Sequence, residues 1–184
     1  MTNKLADIYN RILEANHRIS PFVVKTPLEQ CSALSEMATA EVYLKCEHLQ
    51  HTGSFKCRGA MSKLISIQVE SSLPNINVIA ASTGNHGLAV AYASKRLGMN
   101  ATVYLPQTTS PAKQNSIKAL GAKTVLINGD CLQAETEARG YSETSGQAYI
   151  SPYNDIASTV RWLLSLSPGA VVKDLTIECR ISID

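Results

Sequence analysis

From residue 77 onward the chain alternates short apolar runs with helix-length amphipathic runs, and this alternation limits the fold more than any other feature. NVIAAS (77–82), ATVYLP (101–106), AKTVLI (122–127) and QAYIS (147–151) each read as a strand. HGLAVAYASKRLG (86–98), SPAKQNSIKALG (110–121) and the run from Asp130 to Thr144 read as helices between them. SFKCRGAMSKLISIQVE (54–70) is a further helix ahead of the first strand. Strands this short, and apolar on both sides, belong to a parallel sheet covered on both faces. The predicted fold class is α/β: a parallel sheet flanked by helices in three layers, with right-handed crossovers. Ser110 is placed as an N-cap with Pro111 at the first helical position, and Gly98 and Gly121 as helix stops.

Ahead of that region the pattern is less regular. Residues 3–16 read as a helix, with Leu5, Ile8, Ile12 and Leu13 on one face. Pro21 and Pro27 favour extended structure. A short helix is expected over Ser32–Ala38 and a strand over Glu41–Cys46.

Composition excludes several classes. Net charge is +2 across 184 residues and aromatics are 5%, so neither a basic face nor a base-stacking surface suggests a nucleic-acid partner. No stretch approaches the ~20 apolar residues of a bilayer span, and acidic residues interrupt the amphipathic N-terminus, unlike a signal peptide. The five cysteines, Cys31, Cys46, Cys57, Cys131 and Cys179, are odd in number and lack CxxC spacing. They are expected to be free buried thiols of a cytoplasmic protein. His17, His48 and His51 show no metal-ligand spacing, so no metal site is expected, and no Ser–His–Asp order is present.

Two stretches carry the chemistry. Lys56 follows Thr52-Gly53-Ser54-Phe55 and opens a helix. The positive end of a helix dipole, with any burial, lowers a lysine's pKa and favours the neutral amine that attacks carbonyls. On local physics alone an exposed lysine just inside a helix is the commoner reading. The second stretch, ASTGNHG (81–87), joins a strand end to a helix start, where parallel sheets bind ligands. Helix amides beside hydroxyls and a carboxamide suit a carboxylate. Gly84 is expected to allow a positive-φ turn or a ligand's close approach. A well-capped strand-to-helix turn explains the same residues equally well, and His86 alone is more often a satisfied turn histidine.

Taken together, TGSFKCRGA and STGNHG resemble the fold-type II pyridoxal phosphate enzymes, with a tryptophan synthase β-like fold. VYLKCEHLQHTGSFK, VAYASKRLG, ATVYLP and PAKQNSIKALGA support the likeness, which spans residues 5–155. The subgroup is similar to the threonine/serine dehydratases, with serine racemase near. The resemblance implies pyridoxal 5′-phosphate as cofactor, joined to Lys56 as a Schiff base, with Lys56 also moving the α-proton. Phe55 matches the aromatic beside the cofactor. Ser82, Thr83, Gly84, Asn85 and His86 match the substrate-carboxylate loop, and Asn85 also reaches the cofactor. Thr83 stands where racemase-like members carry a catalytic serine, and Asn154 lies in a segment that approaches the cofactor.

The implied reaction converts a 3-hydroxy amino acid, of threonine, serine or hydroxyaspartate type, to a 2-oxo acid and ammonia. The alternatives are an amino-acid racemase, or an incompetent truncated paralogue or isoform. The implied organisation is a large-domain segment (1–52), a small α/β domain (53–150) and a return to the large domain (151–184) whose tail departs from the family pattern. In the family the Gly-rich loop for the cofactor phosphate lies further on, so this chain is expected to hold only the N-terminal part. A small amino acid is the implied ligand, and a homodimer is left open.

Overall fold

The computed structural model describes residues 2–71, 75–82 and 84–152, with side chains described from residue 10 onward. The elements are α1 (Thr2–Ile19), β1 (Leu28–Gln30), α2 (Ser32–Ala38), β2 (Tyr43–Lys45), α3 (Lys56–Glu70), β3 (Asn77–Ala81), α4 (Asn85–Leu97), β4 (Asn100–Pro106), α5 (Pro111–Ala119), β5 (Lys123–Ile127), α6 (Cys131–Ser145) and β6 (Ala148–Tyr149).

The four later strands form one parallel sheet in the order β5-β4-β3-β6. Side chains alternate across it, as the pleat requires. Val78, Ala80, Val103 and Leu105 face a core built with α3, α4 and Ile117 of α5. Ile79, Ala81 and Tyr104 face Ala134 and Ala138 of α6 on the other side. Both faces are thus covered, which is the three-layer arrangement the apolar strands imply. Met61, Leu64, Ile79, Val103, Leu105 and Ile117 are fully buried. Burial of a side chain of this size stabilises by about 1.5–3 kcal/mol.

Local signals explain the helix ends. Gly98 and Gly146 close α4 and α6 at φ 69° and 71°, the left-handed region open to glycine. Asp130 and Gln133 form a reciprocal capping box at the start of α6. Ser110 occupies the N-cap position of α5 with Pro111 behind it, but its side chain makes no capping bond.

The N-terminal part departs further from expectation. Pro21 lies in a short 3₁₀ turn, Ser20–Phe22, rather than extended chain, because its fixed φ also suits the start of such a turn. The strand expected over 41–46 is shortened to β2 and pairs antiparallel with β1, Glu29 opposite Leu44. On α1, Ile12 and Ile19 are buried while Leu13 is exposed. Leu28, Leu34, Met37, Leu44 and Leu49 are exposed in the same region.

The strand order matters for function. The chain steps from β3 to β4 to β5, then returns through α6 to place β6 on the far side of β3. The order reverses between β3 and β6, and a crevice opens at their C-terminal ends.

Candidate functional site

A cleft of about 280 Å³ occupies this crevice, lined from six directions. Lys56 comes from the start of α3; Ala81 ends β3, and Ser82 and Gly84 lie in the loop after it; Asn85 and His86 come from the first turn of α4. Pro106 ends β4, Cys131 and Glu135 lie on α6, and Pro152 follows β6. Its volume is close to the lower end of small-ligand sites, roughly 300 Å³.

Lys56 is the first residue of α3 and is half-buried. Burial pushes its pKa below the ordinary lysine value, so the neutral amine is favoured relative to a solvated lysine. Its Nζ donates to the carbonyl of Pro152 at 3.1 Å and stands 5.4 Å from the centre of the Phe55 ring. No carboxylate pairs with it among the described residues. Phe55 itself is the N-cap of α3 and does not line the cleft.

The turn beneath Lys56 is held by a buried network. Arg58 donates from Nε to Glu47 Oε2 and from Nη2 to Glu47 Oε1, both at 2.9 Å. Nη2 also reaches the carbonyl of Val24 at 2.9 Å, and Thr26 Oγ1 donates to Glu47 Oε1 at 2.6 Å. Gln50 clamps the backbone of Val24 through both its N–H and its carbonyl. These bonds fix the Thr52–Lys56 turn against the segment that follows α1. Cys57, next to Lys56, is fully buried and its thiol is pushed up to about 11 by burial, so it is inert at neutral pH.

The loop after β3 leads directly into α4. The N-cap of α4 is Gly84, and among the described residues no side chain caps it. The Ser82 hydroxyl instead accepts from the Gly84 N–H at 3.1 Å. Among the described residues no side chain accepts from the first-turn amides of α4, an arrangement compatible with an anion at this helix start. Gly84 needs correction on one point. Its φ is −167°, extended rather than left-handed, so no positive-φ turn explains it. A Cβ there would stand 3.7 Å from Lys113 Nζ, ordinary contact.

His86 is buried, with Nε2 at 2.9 Å from the carbonyl of Ile150. A carbonyl only accepts, so Nε2 carries the proton. The histidine thus ties the start of α4 to the chain that presents Pro152 to Lys56. Asn85 is exposed at the cleft.

The structure brings together Lys56, Ser82, Gly84, Asn85 and His86. Thr83 and Asn154, with the tail beyond, lie outside the described residues. Cys131 and Glu135 were not foreseen, although the rule that ligands gather where helices follow strand ends would have pointed to the start of α6. Cysteine expectations hold for Cys46 and Cys57, which are buried and free, and fail for Cys131, which is exposed. No group of residues able to hold a metal occurs among those described, and no described helix is long and apolar enough to cross a membrane.

Comparison with known proteins places this geometry. Residues 19–163 match the family described as pyridoxal-phosphate dependent enzyme, a span shifted towards the C-terminus from the 5–155 read from motifs. The catabolic L-threonine dehydratase TdcB of Staphylococcus aureus (strain N315) is 39% identical over 145 residues, covering 78% of this chain and 41% of the relative. Among solved structures, a pyridoxal 5′-phosphate-dependent aspartate racemase superimposes with a TM-score of 0.73 at 34% identity, covering 85% of this chain and 49% of the other. The processed form of threonine deaminase isoform 2 from Solanum lycopersicum gives 0.71 at 31%, covering 83% and 42%. The chain spans less than half the length of each of these relatives.

Proposed function

Because this chain belongs to the pyridoxal-phosphate dependent enzyme family, we propose that it carries the lysine and substrate-carboxylate half of a 3-hydroxy amino acid dehydratase, releasing a 2-oxo acid and ammonia. The observation that carries the reading is a half-buried amine, Lys56, sharing one cleft with the first turn of α4 at the reversal of strand order.

The residues present fit the family's cofactor. An amine biased towards its neutral form, with no carboxylate partner, suits covalent attachment to an aldehyde. Lys56 is the residue to hold pyridoxal phosphate, with Asn85 and, from sequence alone, Phe55 and Asn154 beside it. When bound, the cofactor supplies an electron sink that makes the α-hydrogen of an amino acid removable. The chain's own groups do the rest. Ser82, Thr83, Gly84, Asn85 and His86 take the substrate carboxylate at the start of α4, fixing the α-carbon and stabilising negative charge. Lys56 Nζ accepts the α-proton as general base. The Pro152 carbonyl, 3.1 Å from Nζ, orients the amine. In this reading residues 53–150 act as the small domain, with 1–52 and 151–184 belonging to the larger one.

A racemase is the second reading, favoured by the likeness to the aspartate racemase. There a group on the opposite face returns the proton, and Thr83 is the candidate.

The test is product release by the cofactor-loaded chain from L-threonine, L-serine and 3-hydroxyaspartate. Ammonia and 2-oxo acid in equal amounts, abolished by Lys56→Ala, are expected. Inversion of serine or aspartate without ammonia would transfer the assignment to racemisation. Neither outcome with any substrate would overturn the catalytic reading for this chain.

A further inference from the structure

Glu135 is the single acidic side chain among the described residues lining the cleft. It lies four residues after Cys131 on α6, so the two share the face that borders the cleft. Its carboxylate is held in place. Arg139, one turn further, donates from Nε and Nη2 to Glu135 Oε1 at 2.9 and 2.7 Å. The Arg139 guanidinium in turn lies over the ring of Tyr149, 4.3 Å from its centre. Tyr149 belongs to β6, paired with Ile79 of β3. Both bonds to the carboxylate fall on Oε1, and none falls on Oε2 among the described residues.

The other side of the cleft carries amines rather than acids. Lys56 lines it from α3, and Lys113 Nζ lies within ordinary contact of the position a Gly84 side chain would take. The cleft is therefore asymmetric, with amines at α3 and beside the loop after β3 and an arginine-paired carboxylate on the α6 wall. An amino acid whose carboxylate sits on that loop and whose amine meets Lys56 leaves its side chain to the remaining wall: Pro106, Cys131 and Glu135.

We infer that Glu135 sets the side-chain charge this site accepts: it admits a neutral side chain and refuses a second carboxylate. The inference rests on the proposed reading of the cleft as an amino-acid site and goes beyond it. Among the three candidate substrates it selects threonine and serine over hydroxyaspartate. A hydroxyl has an acceptor in Oε2, whereas an added carboxylate meets a like charge in a partly desolvated wall.

L-alanine and L-aspartate differ by the side-chain carboxylate alone, and neither carries a leaving hydroxyl. Their dissociation constants from the cofactor-loaded chain, by isothermal titration calorimetry, test the inference. The wild type is expected to prefer alanine by about tenfold or more. Glu135→Gln is expected to compress that preference to about threefold or less. Arg139→Met leaves the Glu135 charge without its counter-ion and is expected to widen the preference by about threefold. A merely structural role for the pair would move the two variants in the same direction. An unchanged ratio in Glu135→Gln, or parallel shifts in both variants, would overturn the inference while leaving the proposed function in place. Aspartate binding where alanine does not would overturn the inference alone, and failure of both to bind the wild type would overturn the reading of the cleft as an amino-acid site.

Discussion

Removing Arg58 tests how the turn that presents Lys56 is held. Arg58 and Glu47 are 2% and 8% exposed, and the pair is two-pronged, each carboxylate oxygen accepting from the guanidinium at 2.9 Å. Arg58→Met keeps an apolar stem of similar length and removes the charge. Glu47 then remains buried without its guanidinium, and the Val24 carbonyl loses the Nη2 donor. Leaving one partner of a buried pair uncompensated costs about 3–5 kcal/mol. With a urea m-value of roughly 2–3 kcal/mol/M, the midpoint should fall by about 1–2 M at unchanged m. Urea unfolding followed by far-UV circular dichroism measures this. Replacing both partners, Arg58→Met with Glu47→Leu, removes the stranded charge and should recover most of the loss, to within about 2 kcal/mol of wild type. A single-variant cost below about 1 kcal/mol, or a double variant as unstable as the two singles summed, would refute the reasoning.

Other consequences follow from the same structure. A Cβ at Gly87 would stand 2.9 Å from Val103 Cγ1 and 3.4 Å from Ile117 Cδ1, so Gly87→Ala should lower stability by about 1–3 kcal/mol in the same urea assay. Asp130→Ala opens the capping box of α6 and should cost about 1 kcal/mol, with loss of helical signal. Of the described thiols Cys131 should react first with an iodoacetamide label at pH 8, while buried Cys57, pushed up to about 11, stays unlabelled until unfolding. Burial lowers the Lys56 pKa, so the unfolded chain binds more protons between the folded value and 10.5, and this lysine's contribution to stability should rise with pH across that window. Lys56→Met should flatten that rise.

What the sequence disclosed, and what it concealed, follow from the range of the interactions. The strands of the sheet and the helices between them show in local apolar pattern because each is buried on a face set by its own periodicity. The helix over Ser32–Ala38 falls where expected, and α3 begins at Lys56, two residues after the predicted start, because Ser54 and Phe55 form its leading turn. β1 was missed because Leu28–Gln30 has no alternation of its own and becomes a strand only by pairing with β2. Glu47 and Arg58, 11 residues apart, look like two surface charges until the fold encloses them. Glu135 reaches the cleft only because α6 crosses back to place β6 beside β3, a long-range fact of topology. Of the two roles expected for Gly84, the positive-φ turn fails because its φ is −167°.

The central claim is that Lys56 is the chain's reactive amine for the family's cofactor. Incubation with a limiting amount of pyridoxal phosphate, borohydride reduction and peptide mapping by mass spectrometry tests it directly. The reduced adduct is expected to sit on Lys56 at near-stoichiometric occupancy, well ahead of the exposed lysines, because burial favours its neutral amine. An adduct spread over exposed lysines, with Lys56 unmodified, would contradict the account.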